Sequence, residues 1–491
     1  MSTATELLDQ NQRMDVSDKL QRFATLPEWL YAIADPDTVR AAVERGIPEI
    51  ASCALTLTGC DVKRVRIKKD RWTAMYQLTI AELPQVVKLR GTLIPPGQAE
   101  PDRGVPTVGL GTEGWRFYLP ELRLDLESQP PDEALPSLPR LTDPTAAREL
   151  LESSIRAGSP AYQDLHIQSC EPKIMRYKPG SRCTILYRLE YADNQAASQN
   201  WPDVVVAKTY QGNKGQIAYD GMRALWDSAL ANSSSVTIAE PLAFVPELSV
   251  LVQGPIREEQ TLKELIRSAL RAGTPEALEE LNHYMRMTAV GLAEMHHCDI
   301  SVGELRTLEE EFAEIREVDE RLAAVIPELH GAVAPLLAHL EAVAADNPAD
   351  PSVPTHGTFR PAQVLIHKGQ IGFIDFDGFC QAEPALDLAL FLGKIRDIGL
   401  SASKDDDDED DAVVDRQALL ARLAETEAIC EVFLAEYEQH APVSRVRVAL
   451  WEALDLFTLV QHCWTKVKPV RLNTNMLLLE RHLKVSGLLG E

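Results

Sequence analysis

Cysteine is scarce in this sequence and has no metal-binding spacing. Eight cysteines are spread over 491 residues, and no two of them form a CxxC pair. Small secreted domains that rely on disulfides carry many more, and structural zinc sites usually pair their cysteines a few residues apart. The sequence argues against both classes, and we expect reduced, mostly buried thiols.

The sequence also has no long apolar run. No uncharged stretch approaches the roughly 18 residues that a membrane span requires. Residues 1–20 are polar and acidic, unlike the positively charged and then apolar start of a secretory signal. We therefore expect a cytoplasmic protein that does not insert into a membrane.

Positive charge is in short supply. The chain has 49 Lys and Arg against 74 Asp and Glu, which gives a formal net charge of -25. This charge repels nucleic-acid backbones and anionic membranes, and the 6% aromatic residues are not interleaved with basic ones. Nucleic-acid binding is thus disfavoured, and small molecules or cations are the expected partners.

The sequence does contain enough apolar material for packed cores, because 45% of its residues are hydrophobic. At about 150 residues per domain, this length predicts about three domains. We assign an N-terminal α+β domain to 1–145, a strand-rich domain to 146–254 and a helical domain to 255–491. The acidic run at 404–411 cannot pack against itself, and we expect a mobile loop there.

Two strand-rich segments share a pattern. Residues 60–80 alternate apolar and basic side chains around a KKD turn, and residues 170–191 do so around a KPGSR turn. One interpretation is an internal duplication, in which 1–145 is a degenerate copy of the later module. The other is that two basic hairpins are alike by chance. The residues that correspond include Cys60 with Cys170, Arg66 with Arg176, Thr73 with Thr184, Tyr76 with Tyr187 and Lys88 with Lys208.

The order of elements after residue 170 is informative. A hairpin is followed by a strand with a lysine (203–210), a helix (212–230), two strands (236–254) and then helices. One late hairpin, at 363–378, interrupts the helices. The sequence therefore predicts an α+β protein with small antiparallel sheets and a large helical part.

This order resembles the protein-kinase-like fold, and 355–392 resembles the aminoglycoside phosphotransferase and choline kinase family within it. The helix end LAEMHH at 292–297 is similar to the family's segment before its catalytic loop. The resemblance covers about 170–490 and implies two lobes, a small antiparallel-sheet lobe at 146–254 and a large helical lobe with an embedded hairpin. The matching residues are His356, Gly357, Pro361, Ile374, Asp375, Glu383, Pro384, Asp387, Leu388 and Ala389.

Two residues depart from the family pattern. The catalytic aspartate of the family corresponds to Thr358, and its metal-binding asparagine corresponds to Gln363. A general base typically contributes about 10²- to 10⁴-fold, so a slower enzyme survives the loss of this carboxylate. Gln363 keeps an amide oxygen, which is an acceptable ligand for magnesium.

Two aspartates follow the predicted late hairpin. By resemblance Asp375 is a magnesium ligand, and a carboxylate at the end of a buried strand needs a cation or hydrogen bonds to offset its desolvation. Asp377 lies on the same side of an extended segment, where it serves as a second ligand or a substitute base. The alternative is that one of the two caps a turn or pairs with Arg360.

The remaining predicted site residues belong to the small lobe. Lys208 resembles the kinase lysine that neutralises the α- and β-phosphates, with Asp220 on the next helix as its expected acidic partner. A surface lysine is the alternative. The turn KPGSR, at 178–182, either covers phosphates with its backbone N–H groups or is an ordinary hairpin turn. Gln253 lies in the connection where members of the family bind adenine. The cationic residues at this turn are Arg176, Lys178 and Arg182.

Two functions remain open. The resemblance implies an ATP- and Mg²⁺-dependent phosphotransferase that moves the γ-phosphoryl group to a hydroxyl of a small polar molecule. The acidic composition favours a cationic acceptor. The alternative is a pseudokinase that binds nucleotide or a protein partner without phosphoryl transfer, and the threonine at 358 is its main support.

Overall fold

The chain is described by a computed structural model, which covers residues 16–68, 70–128, 135–191, 199, 201–401 and 416–489. The chain divides into two compact units. The first unit comprises Met1–Pro131, Leu308–Asp346 and Ala453–Glu491, and the second comprises Asp132–Thr307 and Asn347–Glu452. The predicted mobile loop at 404–411 lies outside the described residues.

The strands lie mostly in the first half of the chain. Strands β1 to β5 are Leu57–Lys68, Arg71–Ile80, Val87–Leu93, Arg116–Leu119 and Leu124–Ser128. Strands β6 to β11 are Ile167–Lys178, Arg182–Tyr191, Val204–Tyr210, Thr237–Ile238, Pro241–Val245 and Val250–Gln253. Strands β12 to β16 are Gln260–Thr261, Val353–Thr355, Val364–His367, Gln370–Phe373 and Cys380–Ala382.

The helices dominate the second half. Helices α1 to α5 are Glu28–Tyr31, Pro36–Gly46, Pro48–Ala51, Leu138–Thr142 and Pro144–Gly158. Helices α6 to α10 are Lys214–Trp226, Leu262–Ala272, Pro275–His296, Leu308–Ala323 and Ala334–Asp346. Helices α11 to α14 are Ala385–Ser401, Arg416–His440, Arg445–Thr465 and Pro469–Val485. No helix of the described ranges is long and apolar enough to cross a bilayer.

The first unit contains an antiparallel sheet with the strand order β1-β2-β3-β5-β4. Strand β2 alternates buried and less buried residues, as expected for a sheet with one face on a core. Trp72 and Tyr76 are fully buried on the inner face. Their polar atoms are satisfied, because Trp72 Nε1 donates to the carbonyl of Trp464 and Tyr76 Oη donates to the carbonyl of Ile33.

The second unit contains a sheet with the order β10-β11-β8-β7-β6. Its inner face packs on helix α5 through an apolar core that includes Leu151, Ile185, Tyr187 and Val205. Because side chains alternate along a strand, Lys208 lies on the opposite face of this sheet. The core therefore fixes the direction in which the predicted site residues of β7 and β8 point.

The two sheets share one arrangement of strands. Thr73 lies opposite Thr92 as Thr184 lies opposite Lys208. In both, a Pro-Glu-Leu turn joins the last two strands and ends in a left-handed residue, Arg123 with φ 52° or Ser249 with φ 48°. Tyr187 Oη donates to the carbonyl of Leu141, as Tyr76 donates to that of Ile33. Shared order, register and turn chemistry support the interpretation of an internal duplication.

The predicted correspondence of Lys88 with Lys208 is wrong. Lys88 lies opposite Gln77, whereas the position that corresponds to Lys208 is occupied by Thr92. The sequence comparison matched two lysines by residue type, but backbone pairing between strands decides which positions are equivalent.

The helical part of the second unit contains the predicted late hairpin. Strands β14 and β15 pair antiparallel, and β15 also pairs in parallel with β9. The sequence-predicted element order is present, from the β6–β7 hairpin through β8, α6, β10 and β11 to the helices. The α+β class with antiparallel sheets and many helices is therefore confirmed. The three-domain division stays a prediction, and the first unit includes two helical segments from the predicted large lobe.

Candidate active site

Asp375 follows the embedded hairpin in a backbone conformation that is unusual for a residue with a side chain. Its φ is 74°, a left-handed value that costs a non-glycine residue about 1 kcal/mol or more. The neighbouring residue Ile374 is fixed on both sides, because its N–H donates to the carbonyl of Gln363 over 3.1 Å and its carbonyl lies 3.0 Å from His356 Nε2. The surrounding bonds therefore hold Asp375 in place.

Lys208 and Asp375 meet directly. Lys208 Nζ donates to Asp375 Oδ1 over 2.8 Å and lies 3.7 Å from Asp377 Oδ1. The lysine residue is only 8% exposed. It is thus not a surface lysine, and the structure brings together the two residues on which the predicted site depends most.

Asp377 is held by two further side chains of the sheet. Arg182 Nη1 donates to Asp377 Oδ2 and lies 3.5 Å from Asp375 Oδ1. Tyr210 Oη donates to Asp377 Oδ1 over 2.6 Å. Two carboxylates and two cations therefore form one cluster, which we call the charge cluster: Arg182, Lys208, Asp375 and Asp377.

The cluster keeps Asp375 ionised. Burial alone would raise the pKa of this carboxyl, but the charge of Lys208 and its hydrogen bond, together with the charge of Arg182, bring the pKa well below its usual range. Burial also raises the pKa of Tyr210, and the neighbouring Asp377 raises it further, so the phenol stays a hydrogen-bond donor.

Asp387 braces the loop that carries Thr358. Its carboxylate accepts the N–H of His356 over 2.6 Å and the N–H of Gly357 over 2.8 Å. Gly357 has φ 72°, and a Cβ there would lie 1.9 Å from the carbonyl oxygen of Gly378, so only glycine fits. Asp387 thus fixes the backbone of this loop at His356 and Gly357.

Gln363 offers an oxygen without a partner. The residue is 4% exposed, and its Nε2 donates to Thr358 Oγ1 over 3.4 Å. Its Oε1 is buried and has no hydrogen-bond partner among the described residues. A buried acceptor without a partner costs about 1–3 kcal/mol, which a ligand would recover. Carboxylate and amide oxygens are the donors that Mg²⁺ prefers, so Asp375 and Gln363 fit such an ion. Across the described ranges, no group of three His, Cys, Asp or Glu side chains forms a separate metal site.

The predicted pairing of Lys208 with Asp220 is wrong. Asp220 is exposed and accepts a hydrogen bond from Gln216 Nε2 over 2.7 Å, one turn earlier on α6. The buried face of this helix consists of apolar and small residues, including Gly221, where a Cβ would lie 2.4 Å from the ring of Phe379. The acidic residue is therefore directed away from the sheet, and Lys208 pairs with the hairpin aspartates instead.

The other predicted site residues lie on the sheet or next to it. Arg176 is exposed on β6, in the same cross-strand row as Thr184 and Lys208. Lys178 is half-buried at the β6–β7 turn, which Gly180 closes with φ 66°. Gln253, at the end of β11, is 5% exposed, and its buried Oε1 has no hydrogen-bond partner in the part of the chain that the structure describes.

The predicted ion pair of Arg360 with an acid is not seen among the residues that the structure describes. Its side chain is exposed, and Nε donates to the backbone carbonyl of Thr358 over 3.3 Å. The two carboxylates that the sequence offered as its partner are bound elsewhere, Asp375 by Lys208 and Asp377 by Arg182 and Tyr210. Arg360 is therefore held by the loop that carries Thr358.

Sequence reasoning missed Tyr210. It lies two residues after Lys208 on the same strand, and hence on the same face of the sheet, opposite Arg182 on β7. That spacing was the available signal. The sequence alone did not reveal which of several polar residues near this strand end reaches Asp377.

Comparison with known proteins gives one family and a group of solved structures. Residues 258–428 match the model described as phosphotransferase enzyme family. No curated protein matches the chain. A glucosamine kinase structure is 15% identical to this chain, and the match covers 95% of this chain and 100% of the kinase chain, with a TM-score of 0.43. A choline kinase from Cryptosporidium parvum has 14% identity, 69% and 97% coverage and a TM-score of 0.44. A spectinomycin phosphotransferase has 10% identity, 70% and 97% coverage and a TM-score of 0.41.

Proposed function

Over residues 258–428 the chain carries the phosphotransferase family segment that the sequence resemblance predicts, and from this premise we propose an ATP- and Mg²⁺-dependent phosphotransferase. It moves the γ-phosphoryl group to a hydroxyl of a small, polar, preferably cationic molecule. The observation that carries the proposal is the contact of 2.8 Å between Lys208 of the sheet and Asp375 of the hairpin. A phosphoryl-transfer site needs a cation for phosphates and a carboxylate for a metal in the same site, and this contact brings one of each together.

The charge cluster supplies both kinds of group. Phosphate oxygens are alternative partners for Lys208 and Arg182, and Arg presents a planar set of donors that suits phosphate. Asp375 and Gln363 Oε1 are the groups that would hold magnesium. When bound, the ion neutralises charge on the transferring phosphate. The N–H groups of the β6–β7 turn add donors near Arg182, and this turn is tied to the end of β8 by the bond of Gln211 N–H to the Ser181 carbonyl over 2.8 Å.

The group nearest the attacking hydroxyl is Thr358 or Asp377. Both oxygens of Asp377 already accept hydrogen bonds from Arg182 and Tyr210, so a substrate hydroxyl would have to compete with these two donors for the carboxylate. A loose transition state for phosphoryl transfer needs little assistance from a base, and catalysis depends mainly on positioning and charge neutralisation. The proposal therefore tolerates a threonine at 358, with a lower rate than a carboxylate gives.

The function is tested by measuring ADP formation by the full chain with MgATP and a set of hydroxyl-bearing amines. Glucosamine, choline, spectinomycin and streptomycin cover amino sugars and amino alcohols. We expect phosphate transfer to at least one of them, seen by mass spectrometry and lost when EDTA removes the metal. MgATP binding without transfer to any acceptor or to water would instead identify a pseudokinase.

We predict that Gln253→Leu weakens ATP binding about fivefold, because one hydrogen bond contributes about 1 kcal/mol. The orphaned Oε1 at the end of β11 is a suitable acceptor for the amino group of adenine. Calorimetric titration of the full chain with MgATP and MgGTP measures the effect, which should be larger for ATP because guanine presents a carbonyl at the equivalent position.

The matched control is Gln168→Leu, the same change at an exposed position of β6. It should leave both dissociation constants unchanged. Equal ATP affinity in the Gln253→Leu variant and the unaltered protein would show that this side chain does not contact the base.

A further inference from the structure

The two departures from the family pattern lie in contact with each other. Gln363 Nε2 is 3.4 Å from Thr358 Oγ1, and Thr358 Oγ1 is 3.4 Å from His356 Nδ1. His356 Nε2 in turn lies 3.0 Å from the carbonyl oxygen of Ile374, the residue before Asp375. Four groups thus form one chain of hydrogen bonds that begins and ends beside the embedded hairpin.

The acceptor at one end, the carbonyl of Ile374, determines which group donates and which accepts in each of these hydrogen bonds. A carbonyl oxygen only accepts, so His356 Nε2 must carry a hydrogen and donate to Ile374. Burial lowers the pKa of His356, which keeps the ring neutral and makes Nδ1 an acceptor. The hydroxyl of Thr358 therefore donates to Nδ1.

The direction then determines the orientation of the amide of Gln363. A hydroxyl has a single hydrogen, so Thr358 Oγ1 can only accept from its other neighbour. The NH₂ group of Gln363 must face Thr358, which leaves Oε1 on the other side of the amide. This is the oxygen that is buried without a partner.

Backbone hydrogen bonds hold Gln363, the residue that carries this oxygen, on the segment next to Asp375. The carbonyl of Gln363 accepts the N–H of Ile374 over 3.1 Å, and the N–H of Gln363 donates to the carbonyl of Arg360 over 2.8 Å. Gln363 and Asp375 are therefore carried by hydrogen-bonded neighbouring segments, and each offers one oxygen of the kind that binds a divalent cation.

We propose that Thr358 is a positioning residue whose hydroxyl links His356 to Gln363 and holds the amide with Oε1 toward a divalent cation shared with Asp375. The inference rests on the proposed function, because the cation is the one that accompanies the nucleotide. The two substitutions then compensate for each other. The longer side chain of glutamine has more rotational freedom than asparagine, and the threonine hydroxyl restrains it.

The proposal is tested by Mn²⁺ binding to the full chain in the presence of ADP, followed by the paramagnetic resonance of free Mn²⁺. Thr358→Val keeps the shape of the side chain and removes the hydroxyl. We expect its Mn²⁺ dissociation constant to rise about 10- to 100-fold, the usual effect of losing a group that orients a metal ligand. Thr358→Ser restores the hydroxyl and should bind Mn²⁺ as the unaltered protein does. ADP binding in EDTA should be equal in all three proteins.

Thr355→Val is the matched control. Thr355 lies on the same segment, but its buried hydroxyl bonds to Cys380, with 3.0 Å to the carbonyl and 3.1 Å to Sγ. Its Mn²⁺ affinity should not change. If Thr355→Val and Thr358→Val weaken Mn²⁺ equally, or if Thr358→Val has no effect, Thr358 does not position the ligand and the inference is wrong while the proposed function stands. If the unaltered protein binds no Mn²⁺ with ADP, the metal dependence in the proposed function is wrong as well.

Discussion

Asp375→Asn is expected to lower metal-dependent phosphoryl transfer about 10³-fold, the largest effect on activity that the structure predicts. The substitution keeps the size of the side chain and removes its charge. That charge is present at neutral pH because Lys208 and Arg182 lower the pKa of Asp375. Asparagine would leave Lys208 without the carboxylate that it contacts at 2.8 Å and would bind a divalent cation far more weakly. The rate of ADP formation at saturating MgATP measures the loss.

Asp377→Asn is the matched control for this prediction. Asp377 contacts the same cations, but Arg182 and Tyr210 already occupy its two oxygens. We expect a decrease of about tenfold or less, the effect of weakening one charge-assisted hydrogen bond. Small and equal effects of the two substitutions would contradict the assignment of Asp375 as the metal ligand.

The contact between Lys208 and Asp375 was predictable, because each residue lies in a local sequence pattern of a few residues that indicates its secondary structure. A lysine in a run of valines indicates a strand, and the FIDFDG segment follows a run with the alternation of a hairpin. The order of elements then resembles a known fold, which brings the two ends together. No composition or spacing argument alone would have joined residues so far apart in the chain.

The partner of Lys208 on helix α6 was not predictable in the same way. Sequence spacing shows that Asp220 is on the helix, but packing decides which side of the helix meets the sheet. Gly221 lies on the buried side of the helix, against the ring of Phe379, and the neighbouring Asp220 is exposed. Which side of the helix is buried follows from packing, and the sequence spacing of one acidic residue does not contain that information.

The N-terminal sheet shows a case in which the sequence pattern was partly misleading. The two sheets share their cross-strand register, which agrees with the predicted duplication, and the duplication itself stays a prediction. In the N-terminal sheet Thr92 occupies the place of Lys208, so this sheet lacks the ammonium group of the charge cluster. The sequence comparison aligned the two tyrosines, Tyr76 and Tyr187, in the register that the sheets have, and it misaligned the lysines, because a strand can shift along its partner without any change in its alternation.

Arg447→Met is expected to cause the largest loss of stability, about 3–5 kcal/mol, because it leaves the charge of Glu383 buried without its partner. Arg447 is 3% exposed and Glu383 is 5% exposed. Arg447 Nε donates to Glu383 Oε2 over 2.7 Å, and Nη2 donates to Oε1. Trp451 Nε1 and the N–H of Asp350 add hydrogen bonds to the same carboxylate at 3.3 and 3.2 Å. The urea midpoint of the full chain, followed by circular dichroism, measures the loss.

Arg445→Met provides the control on the same helix. Arg445 pairs with Glu431 and Glu438, but its side chain is 49% exposed, and exposed ion pairs contribute at most about 1 kcal/mol. A double variant, Arg447→Met with Glu383→Leu, removes both buried charges and should recover much of the lost stability, since well-packed apolar residues often replace a buried ion pair at little cost. If the double variant is no more stable than Arg447→Met, the loss comes from the packing of the arginine and not from the unpaired charge of Glu383.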